Sequence, residues 1–263
     1  MSAANADRQF DEVARLCAAA RRILFITGAG ISADSGLPTY RGIGGLYDGN
    51  LTDEGFMIED ALSGEMLAMR PDITWKYIAQ IEANCRDVRP NAAHEAIAWL
   101  EASRGGVTVL TQNIDGLHRA AGSRNLIEIH GTLHHLVCTE CDSEFVVPDY
   151  AALDIPPVCA DCGGMLRPDV VLFGEALPAE AVQRLVATLE TGVDLVFSIG
   201  TTSVFPYIAE PVFDALRRGV PTVEINPGES RISKAVDFRL RIGAAAAMGE
   251  IRRRMETTGG RRR

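Results

Sequence analysis

Cys138 and Cys141 form one Cys-x-x-Cys pair, and Cys159 and Cys162 form a second, with seventeen residues between the pairs. This is the spacing at which two hairpin knuckles bring four thiolates to one tetrahedral zinc. Turn formers follow each knuckle, Asp142-Ser143 after the first and Gly163-Gly164 after the second. Four sulfur ligands fill the coordination sphere, so no position is left where the metal could activate water. The pattern predicts a structural Zn2+ on these four cysteines, with the chemistry located elsewhere.

A second set of residues could carry that chemistry. The apolar run ending at Thr27 leads straight into Gly28-Ala29-Gly30-Ile31-Ser32-Ala33, which fits the Gly-x-Gly-x-x-Gly/Ala turn whose N–H groups approach a pyrophosphate. The acidic residue expected about twenty positions later in a dehydrogenase is missing, because Asp48 falls in a glycine-rich loop. The stretch Pro38-Thr39-Tyr40-Arg41-Gly42-Ile43-Gly44-Gly45 reads either as a loop over a bound nucleotide, with Arg41 on a phosphate, or as an ordinary surface loop. Gln112-Asn113-Ile114-Asp115 and His130-Gly131 each follow another apolar run. His130 is the candidate general base, since an imidazole titrates near neutrality. His94, His118, His134 and His135 read as structural. Gly200-Thr201-Thr202-Ser203 and Asn226-Pro227-Gly228-Glu229 suit phosphate and ribose hydrogen bonding, or equally capping and plain turns. No serine or cysteine sits at the sharp elbow of a hydrolase nucleophile, so the reactive centre should belong to a bound cofactor.

These residues need a scaffold that puts them on one edge. Runs rich in Ile and Val at 23–27, 107–111, 126–129, 170–173, 195–199 and 222–225 read as buried parallel strands, and 91–102, 179–190 and 207–218 read as helices between them. The alternation predicts an α/β fold, a doubly wound parallel Rossmann-like sheet, in which ligands bind at the carboxyl ends of the strands. Two segments break the alternation. Residues 43–87 read as a helical insertion with Met57, Met66, Met69, Trp75 and Tyr77 as its core, and residues 134–167 carry the cysteines. The expected organisation is a discontinuous nucleotide-binding domain of residues 1–42, 88–133 and 168–263, with the two insertions joined in a smaller domain.

At 263 residues and 47% hydrophobic content, the chain can bury a full core. Its net charge of −9 argues against a nucleic-acid surface, and residues 138–162 contain no Lys or Arg. No apolar run reaches membrane-spanning length, and the N-terminal acids Asp7, Asp11 and Glu12 are unlike a signal peptide. A cytoplasmic monomer is expected, bound to neither nucleic acid nor membrane, with Cys17 and Cys85 as small buried hydrophobes. Arg252 to Arg254 and Arg261 to Arg263 read as a frayed basic tail.

In combination and in order, Gly28-Ala29-Gly30-Ile31-Ser32, Thr111-Gln112-Asn113-Ile114-Asp115, His130-Gly131, the cysteine quartet, Phe173-Gly174-Glu175, Gly200-Thr201-Thr202-Ser203 and Asn226-Pro227-Gly228 resemble the bacterial-type sirtuins. Sirtuins are NAD-dependent protein deacylases, and the resemblance runs over roughly residues 20 to 245. It implies that NAD is consumed as a co-substrate. The acyl-lysine carbonyl oxygen attacks the anomeric carbon of the nicotinamide ribose, nicotinamide leaves, and the acyl group passes to ADP-ribose. By position, the resemblance makes His130 the base that deprotonates a ribose hydroxyl. Asn113 and Asp115 would orient nicotinamide and its ribose, Gln112 would bind the ribose, and Gly28, Ala29, Gly30, Ser32, Tyr40 and Arg41 would serve the phosphates. Gly200, Thr201, Ser203, Asn226, Pro227 and Gly228 would face the phosphate and adenosine side, with Ala244 near the adenine. Val171, Phe173, Gly174, Glu175 and Val204 would flank an acyl-lysine peptide bound as an added strand.

One family pattern is not met. Sirtuins that prefer acidic acyl groups carry Tyr-x-x-Arg in the helical insertion, whereas here Tyr77 is followed by Gln80. A neutral amide cannot grip a carboxylate as a guanidinium does, so acetyl or another neutral acyl group is expected. The rival functions are protein ADP-ribosylation or NAD hydrolysis on the same residues, and a silent NAD or ADP-ribose sensor.

Overall fold

The computed structural model describes residues 3–39 and 51–259. Helix α1 (Ala3–Ala19) leads into strand β1 (Ile23–Thr27), after which come two single 3-10 turns, Ala29–Ile31 and Ala33–Ser35. Helices α2 (Ile58–Ala61), α3 (Gly64–Met69), α4 (Pro71–Cys85) and α5 (Ala92–Arg104) follow, then β2 (Val107–Thr111), α6 (Leu117–Ala120) and β3 (Leu126–Glu128). Next come β4 (Gly131–Cys138), β5 (Glu144–Val146), β6 (Leu166–Val170), α7 (Ala179–Thr191), β7 (Leu195–Ile199), α8 (Pro206–Arg217), β8 (Thr222–Ile225), β9 (Phe238–Leu240) and α9 (Ala244–Gly259).

Six strands form one sheet in the order β3-β2-β1-β7-β8-β9, every pair parallel. Alternate residues of β1 point to opposite faces, as the period of a strand requires. Ile23 and Phe25 pack with α1, α5 and α9 through Val13, Cys17, Ile97, Met248 and Ile251. Leu24 and Ile26 pack with α7 and α8 through Leu185, Ile208 and Val212. Both faces of the sheet are covered, which is why β1, β2 and β7 are apolar runs with every residue buried. The doubly wound parallel architecture predicted from the sequence is present.

The register fixes the functional edge. Thr27 lies opposite Thr111 on one side and Ile199 on the other, Ile199 lies opposite Ile225, and Thr111 lies opposite Glu128. The loops beginning at Gly28, Gln112, Gly200 and Asn226 therefore leave the sheet side by side, and His130 emerges two residues past the end of β3.

Strands β5-β4-β6 make a separate antiparallel sheet. Its Leu136, Cys159, Leu166 and Val170 share one apolar cluster with Met66, Trp75, Tyr77 and Ile78 of α3 and α4. Trp75 is fully buried, and its indole N–H donates to the Leu166 carbonyl at 3.1 Å. The two segments that interrupt the alternation in sequence thus share a core in space.

Three expectations are corrected. The run 170–173 is not a parallel strand: Val170 ends β6, paired antiparallel with β4, and Leu172 belongs to the small cluster. A four-residue apolar run does not reveal which core it serves. Met69 is not core, being 62% exposed. Arg252 to Arg254 are not a frayed tail but lie in α9, where Arg254 pairs with Asp7 and Asp11 of α1 and with Glu250. Those N-terminal acids are partners of the last helix, a pairing between distant positions that no local pattern discloses.

Two buried histidines brace the sheet edge against α5. His94 closes a capping box with Asn91, and His118 contacts the Thr27 hydroxyl at 3.0 Å, the two rings meeting edge to face at 4.8 Å. Burial lowers His94 to about 4 and pushes His118 well below its usual value. Protonation therefore favours the unfolded chain. The stabilisation is complete above pH 6.5 and declines as the pH falls from there towards 4. From His94 alone the loss is about 3 kcal/mol across that window, expected as a falling urea midpoint between pH 7 and 4.5; a flat midpoint would contradict neutral burial.

Candidate active site

The glycine loops after β1 and β7 lie in direct contact. A Cβ on Gly30 would sit 2.6 Å from Gly200 Cα, and one on Gly200, whose φ is +61°, would sit 2.3 Å from the Ile31 nitrogen. Neither position has room for a side chain, and Gly200 adopts a backbone conformation that L-residues disfavour. Gly30→Ala should cost about 1–3 kcal/mol of stability by overpacking, read as a lower urea midpoint, and should weaken nucleotide binding.

A hydrogen-bond chain joins the loops after β1 and β2. Asn113 Nδ2 donates to the Gly28 carbonyl and to Ser32 Oγ, both at 3.2 Å, and Ser32 Oγ donates to Asp115 Oδ2 at 2.7 Å. Asp115 Oδ1 also accepts the Leu117 N–H at 3.0 Å, while burial raises the carboxyl above its usual range. Gln112 Nε2 donates to Thr27 O at 3.2 Å and to Thr201 Oγ1 at 2.9 Å, tying the β2 loop to the β7 loop. Asn226 Nδ2 donates to Thr201 O at 3.0 Å, and its Oδ1 accepts the Gly228 N–H, which leaves Pro227 and Gly228 exposed beside the β7 loop.

His130 is half-buried. Its Nδ1 lies 2.9 Å from Gln112 O and its Nε2 lies 2.8 Å from Tyr207 Oη. A carbonyl only accepts, so Nδ1 carries the hydrogen and Nε2 the lone pair. Burial lowers the His130 pKa, against the raising effect of the Gln112 carbonyl, and so keeps the ring neutral near pH 7. Gly131, at φ +76°, turns the chain against β6, where a Cβ would meet Asp169 O at 1.8 Å. Val171 N donates to His130 O at 3.0 Å and fixes the backbone from that side.

Other residues singled out from the sequence are placed differently. Ser203 is fully buried at φ +53° with its hydroxyl towards Ser198, whereas the neighbouring Thr202 is exposed at the strand end. Glu175 turns inwards to a bidentate pair with Arg167 at 2.6 and 2.8 Å and accepts the Leu172 N–H, so its carboxylate is committed within the fold. Phe173 is bridged to Ser63 rather than standing in a strand ladder, Gly174 is exposed at φ +83°, and Val204 is 47% exposed. Ala244 is buried at the start of α9, where the next residue's N–H donates to Asp34 at 2.9 Å. Tyr40 and Arg41 lie outside the described residues.

A cavity beside Asp115 is lined by Ala29, Ser32 and Asn113 and, on its far wall, by Ile81, Asn84 and Cys85 of α4. Neither Tyr77 nor Gln80 lines it. The Tyr77 hydroxyl donates to Glu54 at 2.6 Å, and Gln80 is exposed. The α4 residues facing the cavity are thus Ile81, Asn84 and Cys85, about one helical turn beyond the pair picked out from the sequence. They carry no positive charge either.

The four cysteine sulfurs lie within 4.8 Å of one another, with Cys138 to Cys162 at 3.5 Å and Cys141 to Cys159 at 3.8 Å. A tetrahedron with 2.3 Å zinc–sulfur bonds has edges of about 3.8 Å, so the quartet fits Zn2+. Ser143 lowers the Cys141 thiol to about 7. No other group of three or more metal-binding side chains is found among the described residues.

The fold and this edge define a class: a doubly wound Rossmann-like protein with a zinc-compatible cysteine module. The chain matches the Sir2 family over residues 28–206. It is 50% identical over 242 residues to NAD-dependent protein deacylase 2 of Pseudomonas aeruginosa, covering 91% of this chain and 94% of that one. A crystal structure of a Sir2 homologue–NAD complex superposes with a TM-score of 0.85 at 34% identity, covering 94% of each chain. A Sir2–p53 peptide–NAD+ complex superposes with a TM-score of 0.78 at 29% identity, covering 95% of this chain and 98% of that one. The chain belongs to the Sir2 family.

Proposed function

We propose that the protein is an NAD-dependent protein lysine deacylase that acts on acetyl or other neutral acyl groups. The observation that carries this reading is the neutral His130, its Nε2 lone pair held at the edge where the glycine, Gln112–Asp115 and Gly200 loops meet.

The side chains present bind, orient and move one proton. The loops at Gly28–Ser32 and Gly200–Thr202, pressed together without side chains at Gly30 and Gly200, flank the NAD phosphates, and Asn226 with Pro227 and Gly228 flanks the adenosine. Asn113 and Asp115 orient the nicotinamide ribose beside the α4 wall. The substrate carbonyl oxygen forms the bond to the anomeric carbon as the bond to nicotinamide breaks. His130 Nε2 then takes the proton of a ribose hydroxyl, and that oxygen attacks the acyl carbon. With one water consumed, the products are free lysine, nicotinamide and O-acyl-ADP-ribose. Val171, Phe173, Gly174 and Val204 flank the peptide. The zinc supplies structure alone.

The neutral acyl preference rests on Gln80, which stands three residues after Tyr77 where sirtuins that prefer acidic acyl groups carry an arginine. Residence in the cytoplasm and action as a monomer belong to the same reading. Six cysteines without a disulfide support the former, and no helix among the described residues is long and apolar enough to cross a membrane. Incubation with an acetyl-lysine peptide, with and without NAD, followed by mass spectrometry, should give deacetylated peptide and O-acetyl-ADP-ribose only with NAD. Nicotinamide without acyl transfer would instead establish hydrolysis or ADP-ribosylation.

A further inference from the structure

Nothing in the sequence pattern marks Tyr207, yet its hydroxyl lies 2.8 Å from His130 Nε2, the nitrogen that must accept the proton. Because the Gln112 carbonyl holds the hydrogen on Nδ1, the phenol donates and Nε2 accepts. Tyr207 stands in the first turn of α8, behind Phe205 at the N-cap and Pro206, whose fixed φ presets the helix start. The Phe205 and Tyr207 rings stack 5.4 Å apart with 12° between their planes. Both stand nearly perpendicular to the imidazole, at 87° and 83°. The imidazole is therefore fixed at both nitrogens and flanked by a rigid aromatic pair.

We propose that Tyr207 is a positioning residue for His130. With the Gln112 carbonyl setting the Nδ1–H tautomer, the Tyr207 hydroxyl holds the ring's orientation, aims the Nε2 lone pair at the point where the ribose hydroxyl arrives, and yields that point when the ribose hydroxyl takes its place. Tyr207 gains and loses no proton overall. The ribose proton ends on Nε2, giving an imidazolium, and the oxygen's electron pair forms the bond to the acyl carbon. The kinetic part rests on the deacylase reading, whereas the tautomer and the Tyr207 contact at Nε2 do not.

Two measurements test it. In the wild-type protein at pH 8, nitrogen-15 NMR of the imidazoles, with His130 assigned by its loss in His130→Ala, should show the Nδ1–H tautomer. Tyr207→Phe keeps the aromatic stack and the Gln112 contact, so it should keep the Nδ1–H tautomer while shifting the Nε2 resonance as its hydrogen bond is lost. In that variant kcat for deacylation should fall at least about tenfold, with KM for NAD within about twofold of wild type and nicotinamide–NAD exchange retained. Wild-type turnover in Tyr207→Phe, or an Nε2–H tautomer in the wild-type protein, overturns the proposal. Equal loss of exchange and deacylation also overturns it, because Tyr207 would then serve NAD binding or the fold. A wild-type protein that shows the Nδ1–H tautomer but no NAD-dependent deacylation would sink the deacylase reading and leave the positioning geometry standing.

Discussion

His130→Ala should lower product formation about 10²–10⁴-fold, the range a single positioned base contributes, while nicotinamide–NAD exchange continues. The split follows from where the imidazole acts. In the proposed mechanism, breaking the nicotinamide bond needs the acyl oxygen as nucleophile and the Asn113–Ser32–Asp115 chain to hold the ribose, and none of those hydrogen bonds includes His130. Only the second half, in which a ribose hydroxyl must lose its proton, needs the Nε2 lone pair. The substitution also empties the space between Gln112 O and Tyr207 Oη without touching the contact of the glycine loops, so KM for NAD should change little. Rapid-quench assays with labelled nicotinamide would separate the two halves. If exchange disappears together with acyl transfer, His130 acts earlier than proposed, and if deacylation survives, another base must be sought. Because burial lowers the His130 pKa, the wild-type rate should stay level through neutral pH and fall only on the acid side, where Nε2 becomes protonated.

The parallel sheet was legible because both its faces are covered. A strand buried on two sides is mostly apolar, so β1, β2, β7 and β8 stand out as short Ile- and Val-rich runs even though Ser198 and Glu224 are buried among them. The same rule misassigned residues 170–173, where the apolar residues serve the small cluster instead. It passed over β9, only three residues long at the sheet edge, with Phe238 and Arg239 half-buried. The candidate residues on strand-end loops share one edge because parallel registry places such loops side by side. What escaped lies on other elements. Tyr207 reaches His130 from the first turn of α8, and Ile81 and Asn84 reach the cavity from α4. Helical residues of that kind match the sequence pattern of ordinary packing, and only tertiary placement distinguishes them. Ser203 was misjudged for a local reason: the left-handed turn there rotates its hydroxyl inwards and leaves Thr202 facing out.

Zinc removal should have the other large effect, and it should act at a distance. Cys159 is 2% exposed and packs in the same apolar cluster as Trp75, Tyr77 and Ile78 of α4, the helix whose later residues line the cavity beside Asp115. Structural zinc sites in small domains contribute about 10–16 kcal/mol, comparable with or larger than the whole net stability of a domain, about 5–15 kcal/mol. Stripping the metal, or replacing Cys159 with serine, should therefore unfold the small antiparallel sheet and loosen α4. The parallel sheet has its own cores on both faces and should persist. The expected signature is one equivalent of zinc released, a new unfolding transition at lower temperature and a retained one at higher temperature, and activity at least tenfold lower through a raised KM for NAD. Four sulfur ligands leave the zinc no open position, so re-adding zinc to the stripped wild type should restore activity only in proportion to refolding of the small sheet, followed by tryptophan fluorescence from Trp75. Full activity in zinc-free protein would mean that the small cluster holds α4 without the metal. Equal loss of both transitions would mean that the two cores fold as one unit.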